Sequence, residues 1–218
     1  IEQTINLMHH TDIKKNFVIY CSQMVTPGYL LDPIQLLMSQ ENCEVEQRDM
    51  LVSAESAEDL LAYRKADLIF TVAPVNNRSV VCSHFTTIPT VMICREDHPR
   101  IGTEVSAEQL YNEKFTMYQS TNTGVKEYQV RANEAFPERN IAFRSDSLSS
   151  LLSMISMSDL VGYIPLSIFE TYKHALKLKS VAAPFKLPEA QIYMVYNRAS
   201  LNSSVFASFI EKLHKLAQ

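Results

Sequence analysis

Glycine is scarce, with four residues in a chain of 218. A loop that cradles phosphates with backbone N–H groups needs several glycines close together, so a nucleotide-binding loop is not expected. Cysteine is sparse as well: Cys21, Cys43, Cys82 and Cys94 form no CxxC pair and no zinc-type Cys/His spacing. Four reduced thiols, several on apolar strands, suit a reducing cytoplasm. A redox switch would instead need an exposed thiol of low pKa. Apolar runs stop short of the roughly eighteen residues of a membrane span. The opening IEQTINLMHH lacks the apolar stretch of a signal peptide. A basic surplus is missing too, since 20 Lys and Arg stand against 24 Asp and Glu, a net charge of −4. Nucleic-acid-binding domains carry such a surplus to neutralise phosphates, so this chain alone is not expected to bind DNA. There is no GxSxG or HExxH, and the six histidines fall in no nucleophile arrangement. Neither catalysis nor a metal or cofactor is therefore expected.

What is present is a chain of ordinary globular composition, 46% apolar and 20% charged, long enough for one large domain or two small lobes. Residues 1–10 read as the end of a longer helix, with Ile1, Ile5 and Met8 at helical spacing. FVIYC (residues 17–21) reads as a buried strand. Pro27 and Gly28 mark a turn, followed by the amphipathic helix YLLDPIQLLMSQ, which starts near Asp32 or kinks at Pro33. Residues 43–50 read as a second strand. In SAESAEDLLAYRKADLIFTVAP, Ser56 is placed to cap a helix with Asp59 completing a capping box, and Leu60, Leu61 and Tyr63 give the apolar face. Asp67 then leads into the strand LIFTVA. Strands alternating with helices are the pattern of α/β architecture with parallel pairing.

Residues 80–86 and 90–94 read as two strands, and Asp97, His98 and Pro99 as a turn. Ser106 caps a short helix, FTMYQ is a strand, and STNTG (residues 120–124) is a polar loop. A helix over residues 125–136, the strand NIAFRS, and the helix LSSLLSMISMS capped by Asp146 or Ser147 follow. LVGYIP is a strand, with a helix around residues 169–174 and strands over 179–185 and 191–196. The helix of residues 203–216 carries Phe206, Phe209, Ile210, Leu213 and Leu216 as an apolar stripe, read as core packing.

Four segments together carry a family resemblance: DLLAYRKADLIFT, CREDHPRIGTEVSAEQLYNEKFTMY, FRSDSLSSLLSMISMSDLVGYIP and FKLPEAQIYMVYNRASLNSSVFASFIEKL. In this order the chain resembles the effector-binding region of LysR-type transcriptional regulators over residues 12–218, without their winged helix-turn-helix domain. The resemblance implies an α/β fold of two Rossmann-like lobes joined by two crossover strands, of the type 2 periplasmic-binding-protein kind. Residues 1–11 would be the end of the linker helix. Residues 12–89 plus 199–218 would form lobe I and residues 90–198 lobe II, with crossovers near residues 91–94 and 194–198. It further implies a homodimer or homotetramer that pairs the helix of residues 32–39 of one subunit with the second lobe of its partner. DNA would be reached only through the separate N-terminal domain.

In α/β sheets, ligands bind beyond the carboxyl ends of strands, beside helix N-termini. The corresponding positions here are Ser22, Gln23 and Met24 after the first strand, and Thr71 after LIF. After FTMYQ come Ser120, Thr121, Asn122 and Thr123, and after NIAFR comes Ser145. The 120–124 loop offers hydroxyls, an amide and backbone donors suited to a small polar or anionic effector, a carboxylate or an amino-acid-like molecule. Capping the following helix is the competing role for Asn122 or Thr123. Arg144 is placed to pair with an anion or to face solvent. Two other readings share the fold: a solute-binding protein of a transporter, and a regulator without an effector, its cleft filled by Met24, Tyr118 or Tyr163.

Overall fold

The computed structural model describes residues 15–39, 43–121 and 125–217. The helix expected over residues 1–10 lies outside them, as do Asn122 and Thr123. β1 (Lys15–Tyr20) leads into a π-helical turn (Thr26–Leu30) continuous with α1 (Leu31–Met38). Pro27 therefore opens a helix instead of a turn, in the first turn where its missing N–H is not needed. The wider π turn just before Pro33 relieves the clash of its ring with the carbonyl four residues back. β2 (Cys43–Arg48), α2 (Ala54–Ala62) and β3 (Leu68–Thr71) complete the first parallel unit. α2 starts earlier than expected, because Ser53, not Ser56, is its cap: the Ser53 hydroxyl accepts the Ser56 N–H at 3.1 Å. With the helix so placed, Leu61 is buried and Tyr63 points to solvent. With no glycine there, the left-handed residue beyond its end is Arg64, at φ 54°.

β4 (Val80–Arg95) is one 16-residue strand where two were expected. β9 (Glu189–Asn197) runs antiparallel to it from Val80↔Asn197 to Pro89↔Glu189, with a bulge between His84 and Thr86. Pro89 does not interrupt the strand, for it lies at the end of this ladder, where β4 leaves one set of partners for another. Before Pro89, β4 belongs to a sheet of order β2-β1-β3-β9-β4, with β1 parallel to both β2 and β3. After it, Thr90–Ile93 pair with β7 (Gly162–Pro165) and Met92–Arg95 with β8 (Leu178–Val181). The parallel pair β5 (Lys114–Tyr118) and β6 (Asn140–Ser145) joins this second half through Val161, whose carbonyl accepts the Thr116 N–H at 2.9 Å. Residues 91–94 thus lie inside the second half, and Tyr193–Val195 pair with β3 in the first. Between them, Thr86–Pro89 of β4 pair with Glu189–Ile192 of β9.

Helices cover both halves. α3 (Ala107–Tyr111), α4 (Lys126–Glu134), α5 (Leu148–Ser156) and α6 (Leu166–Tyr172) belong to the second. Ser106 and Gln109 close a full capping box on α3, and Ser147 caps α5. α7 (Ser204–Leu216) returns to the first half, where Phe206 and Phe209 pack on Phe17 of β1 with ring centroids 5.8 and 5.3 Å apart. Leu216, at the end of the stripe, is exposed. One apolar cluster runs through both halves, from Ile19, Phe70 and Phe209 to Leu151, Ile155 and Ile164. A second, around Phe115, Phe136 and Val161, fills the far side of the second half.

His98 is more than a turn residue. Its Nδ1 accepts the backbone N–H groups of Arg100 and Ile101 at 3.2 Å, so Nε2 carries the proton and donates to the Asp159 carbonyl at 2.8 Å. Buried Glu113 is held by Arg100 through bonds of 2.8 and 3.0 Å. Gly162 has no room for a side chain: a Cβ there would lie 2.5 Å from Thr116 Oγ1 and 2.6 Å from Ile155 Cδ1. Gly162→Ala is expected to destabilise the fold by about 1–3 kcal/mol through overpacking, read as a lowered urea midpoint at unchanged m-value.

Candidate functional site

The carboxyl end of β1 turns sharply at Ser22, where the Ser22 carbonyl accepts the Val25 N–H at 2.9 Å and its hydroxyl the Met24 N–H at 3.1 Å. Asp49 Oδ1 takes the Gln23 N–H at 3.0 Å, and Ser167 of α6 donates to the Met24 carbonyl at 2.5 Å. The last bond crosses from the second half to the first, so this turn is fixed by both. Facing it are the end of β5, the inner face of α4 and Tyr163–Pro165 of β7. Together they enclose a cavity of about 190 Å³. That is somewhat larger than the roughly 150 Å³ that admits a benzene ring.

Of the residues expected at a site, Ser22, Gln23, Met24 and Ser120 line this cavity. Thr71 is buried at the end of β3 with its hydroxyl donating to the Ala73 carbonyl at 2.6 Å, and it is not part of the wall. Ser145 accepts the Ser147 N–H at 3.0 Å as a turn residue, and its neighbour Asp146 reaches the wall in its place. Thr121 is exposed and off the wall, while Asn122 and Thr123 fall outside the described residues. Met24, Tyr118 and Tyr163, the side chains large enough to fill the space, line it and leave it open. Arg144 is exposed at the end of β6, its Nη1 2.6 Å from Met117 Sδ.

The sequence reading missed most of the deep wall: Thr90, Thr116, Tyr128, Gln129, Asn133 and Arg139. Thr90 and Tyr128 share a hydrogen bond between their hydroxyls. Burial raises the Tyr128 and Tyr118 pKa values, opposed in part by hydrogen bonds to Thr90 and Ser120 respectively. Arg139, 8% exposed, donates through Nη1 to the carbonyls of Asn133 and Phe136 at 3.2 and 3.0 Å, and through Nη2 to Asn133 Oδ1 at 2.6 Å. Its guanidinium lies over the Tyr163 ring, 5.2 Å from the centroid. Among the described residues, Arg139 Nε, Tyr163 OH and Gln129 Nε2 have no hydrogen-bond partner, though each atom is buried. An unpaired buried polar group costs about 1–3 kcal/mol. Burial pushes the Tyr163 phenol up to about 12 against the pull of Arg139, so it stays protonated at neutral pH. Nothing local in the sequence marks Arg139, which follows Pro137 in a polar stretch after α4.

The geometry fits a pocket for a small molecule between two α/β halves that share two strands. Residues 15–218 match the LysR substrate binding domain. The chain belongs to this family. An uncharacterized HTH-type transcriptional regulator of Escherichia coli, YbdO, is 39% identical over 215 residues, covering 99% of this chain and 72% of that protein. The regulatory domain of MexT, a transcriptional activator in Pseudomonas aeruginosa, superposes with a TM-score of 0.72 at 11% identity, over 93% of this chain and 100% of that one. Full-length CbnR in complex with its target DNA superposes with a TM-score of 0.69 at 11% identity, over 98% of this chain and 74% of that one. The LysR-type domain seen here is thus the type 2 periplasmic-binding-protein-like α/β fold that the resemblance implied. Among the described residues no helix is long and apolar enough to cross a membrane, and no group of His, Cys, Asp and Glu is placed to hold a metal.

All four cysteines are free thiols. Burial pushes both Cys21 and Cys94 up to about 11, so at pH 8 roughly one in a thousand is thiolate. In the native protein at pH 8, these two thiols are expected to resist iodoacetamide and to react once the chain is unfolded in urea; peptide mapping by mass spectrometry reads both states.

Proposed function

We propose that this domain is the effector-sensing and oligomerisation part of a LysR-type transcription regulator, working in the cytoplasm and relaying occupancy of its cavity to a DNA-binding domain elsewhere in the full protein. The cavity carries this reading, because its walls come from both halves: Ser22, Gln23 and Met24 from the first, and Ser120, Tyr128 and Tyr163 from the second. A ligand held there favours one arrangement of the two halves over another, and it shifts that equilibrium by its difference in affinity and no more. We take residues 12–89 with 199–218 as lobe I and 90–198 as lobe II, and the pairing of Thr90–Ile93 with β7 supports the first boundary. The relationship to YbdO favours this reading over a solute-binding protein of a transporter.

A small polar or anionic effector is the expected ligand. In a thermal-shift screen of small carboxylates and amino acids, a true effector at a hundred times its Kd adds about 2.7 kcal/mol. For a chain of this size that is a rise of about 5–10 °C in Tm. The rise is expected to shrink for Ser22→Ala. A flat response across a broad panel would sink the sensor reading.

α1 is the expected contact with a second copy. Leu31, Leu36 and Met38 are 51%, 39% and 52% exposed on it, an apolar face that a monomer gains nothing by showing to water. Met38→Glu is expected to shift the chain from dimer to monomer in sedimentation velocity without lowering its helical content. A dimer that persists places the interface elsewhere.

A further inference from the structure

Four buried side-chain polar atoms among the described residues lack a partner: Ser83 Oγ, Gln129 Nε2, Arg139 Nε and Tyr163 OH. The residues of the last three line the cavity described above. All three atoms are able to donate a hydrogen bond. Three unpaired donors gathered on one cavity wall suit a guest rich in acceptors.

We propose that Arg139, Gln129 and Tyr163 anchor the carboxylate of a small monocarboxylic acid, whose apolar body lies against Met24, Leu148 and Ile164. This rests on the sensor reading above and names the chemistry of its ligand. Arg139 is a buried cation that makes no salt bridge among the described residues, although Arg95 and Arg100 in the same half are both ion-paired. Its Nη1 and Nη2 bonds to Asn133 and Phe136 fix the guanidinium against the end of α4 and leave the Nε edge over for a guest. The anchor is therefore built before the ligand arrives, which lowers the ordering cost of binding. Arg144 adds a second positive charge to the field at Arg139, and burial and Arg144 both draw the Arg139 pKa down. Water would satisfy the donors one by one but would leave the charge uncompensated.

The same cavity restricts the rest of the ligand. Asp49 and Asp146 line it and act on the Tyr118 phenol, so a second carboxylate on the guest would meet charge of its own sign. The volume of about 190 Å³ admits a short aliphatic chain or a single ring.

Isothermal titration calorimetry on the 218-residue chain tests this with butyrate and cyclohexanecarboxylate, their uncharged amides, succinate and inorganic phosphate. At least one of the two acids is expected to bind about tenfold or more tighter than its amide, and tighter than succinate or phosphate. Tyr163→Phe and Gln129→Leu remove donors that are unpaired in the free protein. Each is expected to hold or raise the Tm of the free chain while weakening the acid about tenfold. Arg139→Lys keeps the charge but loses the fork, and is expected to weaken the acid further. Equal affinity for acid and amide, failure of both acids to bind at millimolar concentration, or unchanged acid affinity in the Tyr163 and Gln129 variants overturns the anchor. Phosphate binding as tightly as the acids would overturn the carboxylate assignment. A panel compound lost on Ser22→Ala but indifferent to the three anchor residues would remove the anchor and leave the cavity sensor standing. If nothing in the wider panel binds, both readings fall.

Discussion

Strands β4 and β9 run antiparallel and hydrogen-bonded from Val80↔Asn197 to Pro89↔Glu189, and each serves two sets of partners. β9 gives Tyr193–Val195 to β3, while β4 gives Thr90–Arg95 to β7 and β8. A strand cannot slip by one residue without turning every side chain to the opposite face. Registers in both halves are therefore locked to one shared ladder, and the halves are related through it. The π-helical turn before α1, the capped starts of α2, α3 and α5, and the seating of α7 on Phe17 all settle onto sheets whose order this ladder sets.

The cavity is a consequence of that arrangement. β1 and β5 point their carboxyl ends toward each other across the shared strands, and the turn after β1 is tied to α6 by the Ser167 to Met24 bond. Two opposed strand ends, each followed by a helix, leave a space that neither half closes alone. Its floor is polar in an unusual way. Among the described residues, Arg139, Gln129 and Tyr163 hold donors without acceptors, whereas Arg95, Arg100, Glu113 and Asp159 in the same half are ion-paired. The contrast separates charge that holds the fold from charge kept open.

Local chemistry made much of the fold legible. Alternating strand and helix patterns, Ser106 and Ser147 as caps, and the stripe of Phe206, Phe209, Ile210 and Leu213 all act over a few residues, and so are written in adjacent positions. Errors came where a local rule had two solutions. Ser53 and Ser56 are both residues of a type that caps helices, and Ser53 is the one that caps α2. Residues 80–86 and 90–94 read as two strands, yet they are one strand that changes partners at Pro89. The lip of the cavity at Ser22, Gln23, Met24 and Ser120 was readable because the carboxyl end of a strand is a general place for ligands in α/β sheets.

The sequence by itself determined the class of the fold and the positions where strands end, because these follow from periodicity and short motifs, while its resemblance to LysR-type regulators pointed to the family and the cleft. Only the tertiary structure decided that Arg139 from the loop after α4, Gln129 from that helix and Tyr163 from β7 share one wall with their donors unpaired. Burial and pairing are properties of neighbours in space. Residues 129, 139 and 163 become neighbours only when β5, β6 and β7 have come together around the shared strands.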